Sequence, residues 1–195
     1  MASLHDRLAA QLGHPRGAFG RLLVRFLNRR NRADNADAVA ALGVRPGDRA
    51  LDLGFGGGVG LSLLLDSAAG SVSGADLSAD AVAAARRRFG ECVRVVEAAV
   101  PTLPFADGAF DRILTINTVY FWSDGPACVR ELHRVLAPGG RLVVGVGRPE
   151  DMRGRLFEHF YVYEENELVA LLRDGGFSGV HIEATRRALL AVGDR

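Results

Sequence analysis

The chain has 195 residues, 48% hydrophobic and 24% charged, a balance that suits one folded domain with its own core and excludes a disordered chain. Its 24 basic and 23 acidic residues leave a formal charge of +1, so overall charge proposes no nucleic-acid partner. Every basic residue is arginine, which excludes a Schiff-base lysine and a phosphate loop ending in GK[ST].

The first 48 residues stand apart from the rest of the chain. "GAFGRLLVRFLNRRNRADN" (17–35) sets Leu22, Leu23, Phe26 and Leu27 on one helical face, among Arg21, Arg25, Arg29, Arg30 and Arg32. Such a basic amphipathic helix is a solvated face, or one that meets anionic partners or a membrane surface. From residue 49 onward strand and helix patterns alternate. "RALDL" (49–53) reads as a strand and "VGLSLLLDS" (59–67) as a helix; "SVSGAD" (71–76) is a second strand. "SADAVAAARRRF" (78–89) is a helix with Ser78 as N-cap, because a serine oxygen there takes an otherwise orphaned amide. "CVRVVEA" (92–98) and "FDRILTI" (110–116) are strands, and "PACVRELHRVLA" (126–137) is an amphipathic helix stopped by Pro138, Gly139 and Gly140. "RLVVGVG" (141–147) is a fifth strand.

The rhythm then changes. "ENELVALLRDGGF" (165–177) is a helix ended by glycines, and "GVHIEATRRALLAV" (179–192) holds two strands with almost no connection between them. A parallel pair needs a crossover of a dozen or more residues, so this pair is antiparallel. The expected fold class is α/β: a doubly wound, Rossmann-like sheet of seven strands, mostly parallel, ending in an antiparallel hairpin, with helices on both faces. One domain is expected, residues 1–45 forming a helical cover and 46–195 the core. Cys92 and Cys128 are too few and too far apart for a zinc site or a disulfide framework. No apolar run approaches a membrane span and the N-terminus carries no signal-peptide pattern, so a cytoplasmic protein is expected.

"LDLGFGGGVG" (51–60) is where the chemistry concentrates. Glycine is costly in regular structure, so this run marks a tight turn or a ligand close to the main chain. It leaves the C-terminal end of the first strand, where doubly wound sheets bind ligands. Gly54, Gly56 and Gly58 would let a nucleoside-bearing ligand approach, and Asp76, ending the next strand, could accept from both ribose hydroxyls. A nicotinamide dinucleotide is the rival ligand, since loose G-x-G patterns fit the run. Asp52 argues against it: a carboxylate repels a diphosphate and attracts a cation.

"ALDLGFGGG" (50–58), "GADLS" (74–78), "LPFADGAFDRIL" (103–114) and "VRELHRVLAPGGRLVV" (129–144), in this order and ahead of the terminal hairpin, resemble the class I S-adenosylmethionine-dependent methyltransferases. Within that class the resemblance is to the small-molecule group of ubiquinone/menaquinone-type C-methyltransferases, and it runs from about residue 46 to the C-terminus. It implies S-adenosyl-L-methionine as cofactor and S-adenosyl-L-homocysteine as product. Asp52, Gly54, Phe55, Gly56 and Gly58 would line the methionine part, Asp76 would hold the ribose, and Leu77 would pack on the adenine. Ala98, Ala99 and Val100 would meet the adenine edge, and Asn117 would lie near the amino-acid end. Ala99 departs from the pattern, since many relatives place there an aspartate that accepts from the adenine amino group.

Methyl transfer from a sulfonium is a displacement that needs alignment and exclusion of water, and a base only if the acceptor must lose a proton. "INTVYFWSD" (116–124) follows the fourth strand, where Tyr120 and Trp122 would wall the site as cation–π or stacking surfaces. The absence of a D-P-P-Y type motif argues against a nucleobase amino group as acceptor. In this family the N-terminal helices cover the active site, which makes His14, Arg16 and Asn28 candidates for substrate contact. His159, in the aromatic "FEHFYVY" (157–163), is another candidate, while His133 and His181 read as structural. With Tyr120, His14 and His159 are the expected catalytic residues. The expected activity is methyl transfer to an O- or C-nucleophile of a small molecule. An oxidoreductase or a non-catalytic cofactor-binding protein on the same fold are the alternatives.

Overall fold

The computed structural model describes residues 32–148, 150 and 161–195. Its centre is a seven-stranded sheet of order β3-β2-β1-β4-β5-β7-β6. These strands are β1 (Arg49–Leu53), β2 (Ser71–Asp76), β3 (Val93–Glu97), β4 (Phe110–Ile116), β5 (Leu136–Gly147), β6 (Ser178–Ala184) and β7 (Ala188–Asp194). A helix through residues 32–42, here α1, precedes them. The others are α2 (Val59–Leu65), α3 (Ala79–Phe89), α4 (Gly125–Val135) and α5 (Glu165–Asp174).

The first five strands pair in parallel, and β7 runs antiparallel to both β5 and β6. The sequence reading is borne out here, the terminal hairpin included. Strand β1 is buried along four of its five residues because both faces of the sheet are covered, which is why it reads as a nearly unbroken apolar run. Side chains alternate across it: Leu51 and Leu53 join a core with α4 and α5, whereas Ala50 joins a core with α1, α2 and α3. Between β1 and β4 the strand order reverses, so the loops leaving their C-terminal ends diverge and open a crevice.

Two boundaries differ from the sequence reading. Helix α4 ends at Val135, and Pro138, Gly139 and Gly140 lie inside β5 instead of in a separate turn. The cause is a distant strand end: Arg195 accepts from the Gly139 amide at 2.8 Å and donates to the Gly140 carbonyl at 3.0 Å. This backbone pairing draws the proline–glycine segment into the sheet. Gly139, at φ 76°, supplies the left-handed conformation this path requires.

The second difference concerns the expected cover. Ala38 and Leu42 of α1 have no exposed surface and pack in the core with Ala50, Leu61 and Leu64. Arg112 donates to the Gly43 carbonyl at 3.3 Å and pairs with Asp48 at 3.0 Å, binding the end of this helix to β4. Packing therefore runs across the boundary drawn at residue 45; the cover's residues 1–31 lie outside the described residues. Leu42→Ala should cost about 2–4 kcal/mol, the usual range for deleting a fully buried leucine, measured by chemical denaturation. A loss under 0.5 kcal/mol would show that α1 merely rests on the domain.

Candidate cofactor and acceptor site

The glycine loop leaves β1 at the crevice. Gly54, Gly56 and Gly58 all have positive φ, at 69°, 49° and 74°. At Gly54 space is as restrictive as conformation, because a Cβ there would overlap the methyl of Thr118 from the loop after β4. Phe55 turns its ring inward, 5% exposed, over Gly74 of β2. The ring is thus core, which leaves only the Phe55 main chain to the loop.

Two carboxylates flank the loop. Asp52 is 4% exposed and lies against Gly60 in α2, where a Cβ would collide with it. Its Oδ2 is buried with no hydrogen-bond partner among the described residues. Burial, and next the nearby Asp76 charge, push its pKa up to about 7 against the pull of the Leu61 amide. Such an orphaned acceptor is costly unless something meets it. Asp76 accepts from the Gly56 amide at 2.7 Å and the Ser78 amide at 2.8 Å, so it organises the glycine loop as well as facing it.

The remaining expected contacts gather at the same edge of the sheet. Leu77 follows Asp76 and leaves 56% of its surface open. Ala98 donates to the Asp76 carbonyl at 3.0 Å, and Ala99 accepts from Thr102 at 3.2 Å, which keeps 98–100 beside the end of β2. Asn117 follows β4 at φ 57° and donates from its main chain to Gly145 at 2.8 Å; asparagine is among the few residues that tolerate this conformation. Thr115 and Thr118 were not singled out by the sequence. The buried Thr115 hydroxyl donates to the Leu53 carbonyl at 3.0 Å, so the Thr118 hydroxyl must be the donor in their 2.5 Å contact. The pair links the tip of β4 to the start of the glycine loop.

Tyr120 is tied to the end of β5. It accepts at its hydroxyl from the Gly147 amide at 2.7 Å, and burial raises its pKa far above the ordinary range. This hydrogen bond joins the loop after β4 to the end of β5. The Tyr120 ring and that of Trp122 pack on the core, while Phe121 beside them is 48% exposed. His14, Arg16, Asn28 and His159 lie outside the described residues. His133 meets Phe177 edge-on at 5.2 Å and His181 is exposed on β6, both away from the glycine loop's contacts.

A glycine loop between two acids at the switch point of a doubly wound sheet matches a known family. A family model described as a methyltransferase domain matches residues 51–144. Residues 51–144 are thus similar to a methyltransferase domain. The glycine loop, both acids and the strand-four residues fall inside the matched span. The domain is similar to the demethylmenaquinone methyltransferase of Thermus thermophilus, 44% identical over 100 residues, covering 49% of this chain and 46% of that protein. It is also similar to the 2-phytyl-1,4-naphtoquinone methyltransferase of a Nostoc species, 35% identical over 134 residues, covering 64% and 58%. The chain spans 32–46% of the length of the first curated relatives it matches. The fold is that of a putative Haloferax volcanii methyltransferase solved with its Trm112 activator, with TM-score 0.78, 22% identity and coverage of 100% and 98%. Methyltransferases of this class use S-adenosylmethionine, and the buried, unpartnered Asp52 oxygen fits the cationic end of such a cofactor. Among the described residues no helix is long and apolar enough to cross a membrane.

Proposed function

We propose that this chain transfers the methyl group of S-adenosylmethionine to a small-molecule acceptor through an O- or C-nucleophile. The observation that carries the reading is Asp52: a carboxyl buried at the glycine loop with an unpartnered oxygen calls for a cation, not for a diphosphate. Similarity to relatives named for demethylmenaquinone and 2-phytyl-1,4-naphtoquinone supports a naphthoquinone-type ring as the first acceptor to test.

Bound, the cofactor would supply an already activated methyl group. Asp52 would take its ammonium end, with Gly54 to Gly58 and Asn117 beside it. Asp76 would hold the ribose hydroxyls, since a carboxylate oxygen accepts more than one bond. Leu77 would cover one adenine face, and Ala98, Ala99 and Val100 would border its edge. A base, where the acceptor requires one, would be His14, Tyr120 or His159. The chain's own contribution is then alignment and exclusion of water.

Calorimetry with S-adenosylhomocysteine and with NAD tests the ligand class. Binding of the first and not the second is expected; the reverse would overturn the reading in favour of an oxidoreductase. Turnover of labelled cofactor with a panel of hydroquinones and phenols tests the acceptor class and separates an enzyme from a binding protein. Asp76→Ala should weaken S-adenosylhomocysteine by about 2 kcal/mol or more, as for loss of a charged acceptor. Unchanged affinity in the folded variant would remove Asp76 from the site.

A further inference from the structure

Helix α3 contributes no residue to the expected cofactor contacts, yet its last turn lies on the glycine loop. Arg88 donates through Nη1 to the Gly57 carbonyl at 3.2 Å and through Nη2 to the Ser62 hydroxyl at 2.8 Å, so one guanidinium spans the loop and α2. Phe89 covers Gly58: a Cβ there would lie 2.9 Å from the ring. The guanidinium sits 4.7 Å from the centroid of that same ring. The other end of α3 is tied to the loop as well, because Ser78 caps the helix at Ala81 and shares the Asp76 carboxylate with Gly56. The helix therefore grips the loop from both ends.

We propose that Arg88, seated on Phe89, is a positioning residue that latches the glycine loop from outside and thereby sets the affinity for the nucleoside cofactor. The inference rests on the proposed cofactor class for its ligand, but the latch itself is a property of the loop. Three glycines with positive φ leave the free loop many conformations, and a ligand that must order them loses affinity. The bridge across the Gly57 carbonyl and Ser62 removes that freedom beforehand. Two bonds from one planar fork restrict the loop more than a single-point ammonium can.

Electrostatics alone predicts the opposite sign. S-adenosylmethionine carries a net positive charge, so removing a nearby arginine charge would tighten its binding. Arg87, exposed on the same turn, provides the matched control. Calorimetry with S-adenosylmethionine would be run on wild type, Arg88→Met, Arg88→Lys and Arg87→Met, well below the melting point of each. Native-state amide exchange at Gly56 and Gly58, whose N–H groups donate to Asp76 and Phe55, would be read without ligand. Arg88→Met should bind about tenfold more weakly and exchange about tenfold faster at these amides, with Arg88→Lys between it and wild type. Arg87→Met should bind as tightly as wild type or tighter. Affinity of Arg88→Met within twofold of wild type, or unchanged exchange, overturns the latch. Failure of wild type to bind S-adenosylmethionine overturns the cofactor reading instead, and with it the latch's effect on affinity; the exchange rates alone then decide whether Arg88 orders the loop.

Discussion

Asp52→Asn should abolish a pH dependence that the wild-type protein shows in both stability and cofactor binding. The Asp52 carboxyl moves from an ordinary 3.8 to about 7, chiefly by burial and next by the Asp76 charge. Its folded pKa is raised, so the folded chain keeps a proton that the unfolded chain has released. Stability from this group is therefore greatest below about pH 4, falls as pH rises to about 7, and is level above. The loss is roughly 4 kcal/mol at about 1.4 kcal/mol per unit. Denaturation of ligand-free wild type and Asp52→Asn between pH 4 and 8 should give curves whose difference follows that fall. Asp111, Glu131 and Asp194, whose pKa values are lowered by arginine partners, titrate in both proteins and cancel. Binding has the complementary sign. A cationic cofactor end needs ionised Asp52, so wild-type affinity should climb about tenfold per pH unit below 7 and flatten above it. The variant should lack this slope and bind about 100-fold more weakly at pH 8, as for loss of a buried charged partner. Equal wild-type affinity at pH 5.5 and pH 8 would sink the assignment of Asp52 to the cation.

Gly54→Ala is the second large effect, and its cause is steric on two counts. The backbone sits at φ 69°, which disfavours any L side chain, and the new methyl would overlap Thr118. Left-handed strain of about 1–2 kcal/mol and overpacking of about 1–3 kcal/mol together predict a loss of about 2–5 kcal/mol. Cofactor binding should weaken with it, because Thr118 would move and take the β4 tip away from the loop. Thr118→Ser separates the two causes: it deletes the offending methyl and keeps the hydroxyl that donates to Thr115. In the double variant the overpacking part, about 1–3 kcal/mol, should return, leaving the conformational part. Strictly additive losses would show that Thr118 does not restrain Gly54.

Residues close in the chain settled a large part of this protein. The apolar runs at 49–53, 71–76 and 110–116 appear as strands with those same ends, because each is bounded by glycine, proline or a polar turn. The short link at 185–187 could only make a hairpin, and the Thr185 hydroxyl, accepting from the Arg187 and Ala188 amides, holds it. The glycine loop and its two acids were legible because their meaning depends on spacing along the chain and on the strand before them. Tertiary structure decided what depends on distant partners. The proline–glycine segment at 138–140 reads locally as a turn and becomes strand because Arg195 pairs with it. Tyr120 has a composition suited to acid–base work and accepts from Gly147. Phe55 sits among glycines in sequence and in the core in space. The protonation of Asp52 follows from burial and from Asp76, and the Arg88 latch reaches back 31 residues to Gly57. Period and punctuation are carried by neighbouring residues; burial, charge state and steric closure arise only once strands and helices from separate parts of the chain meet.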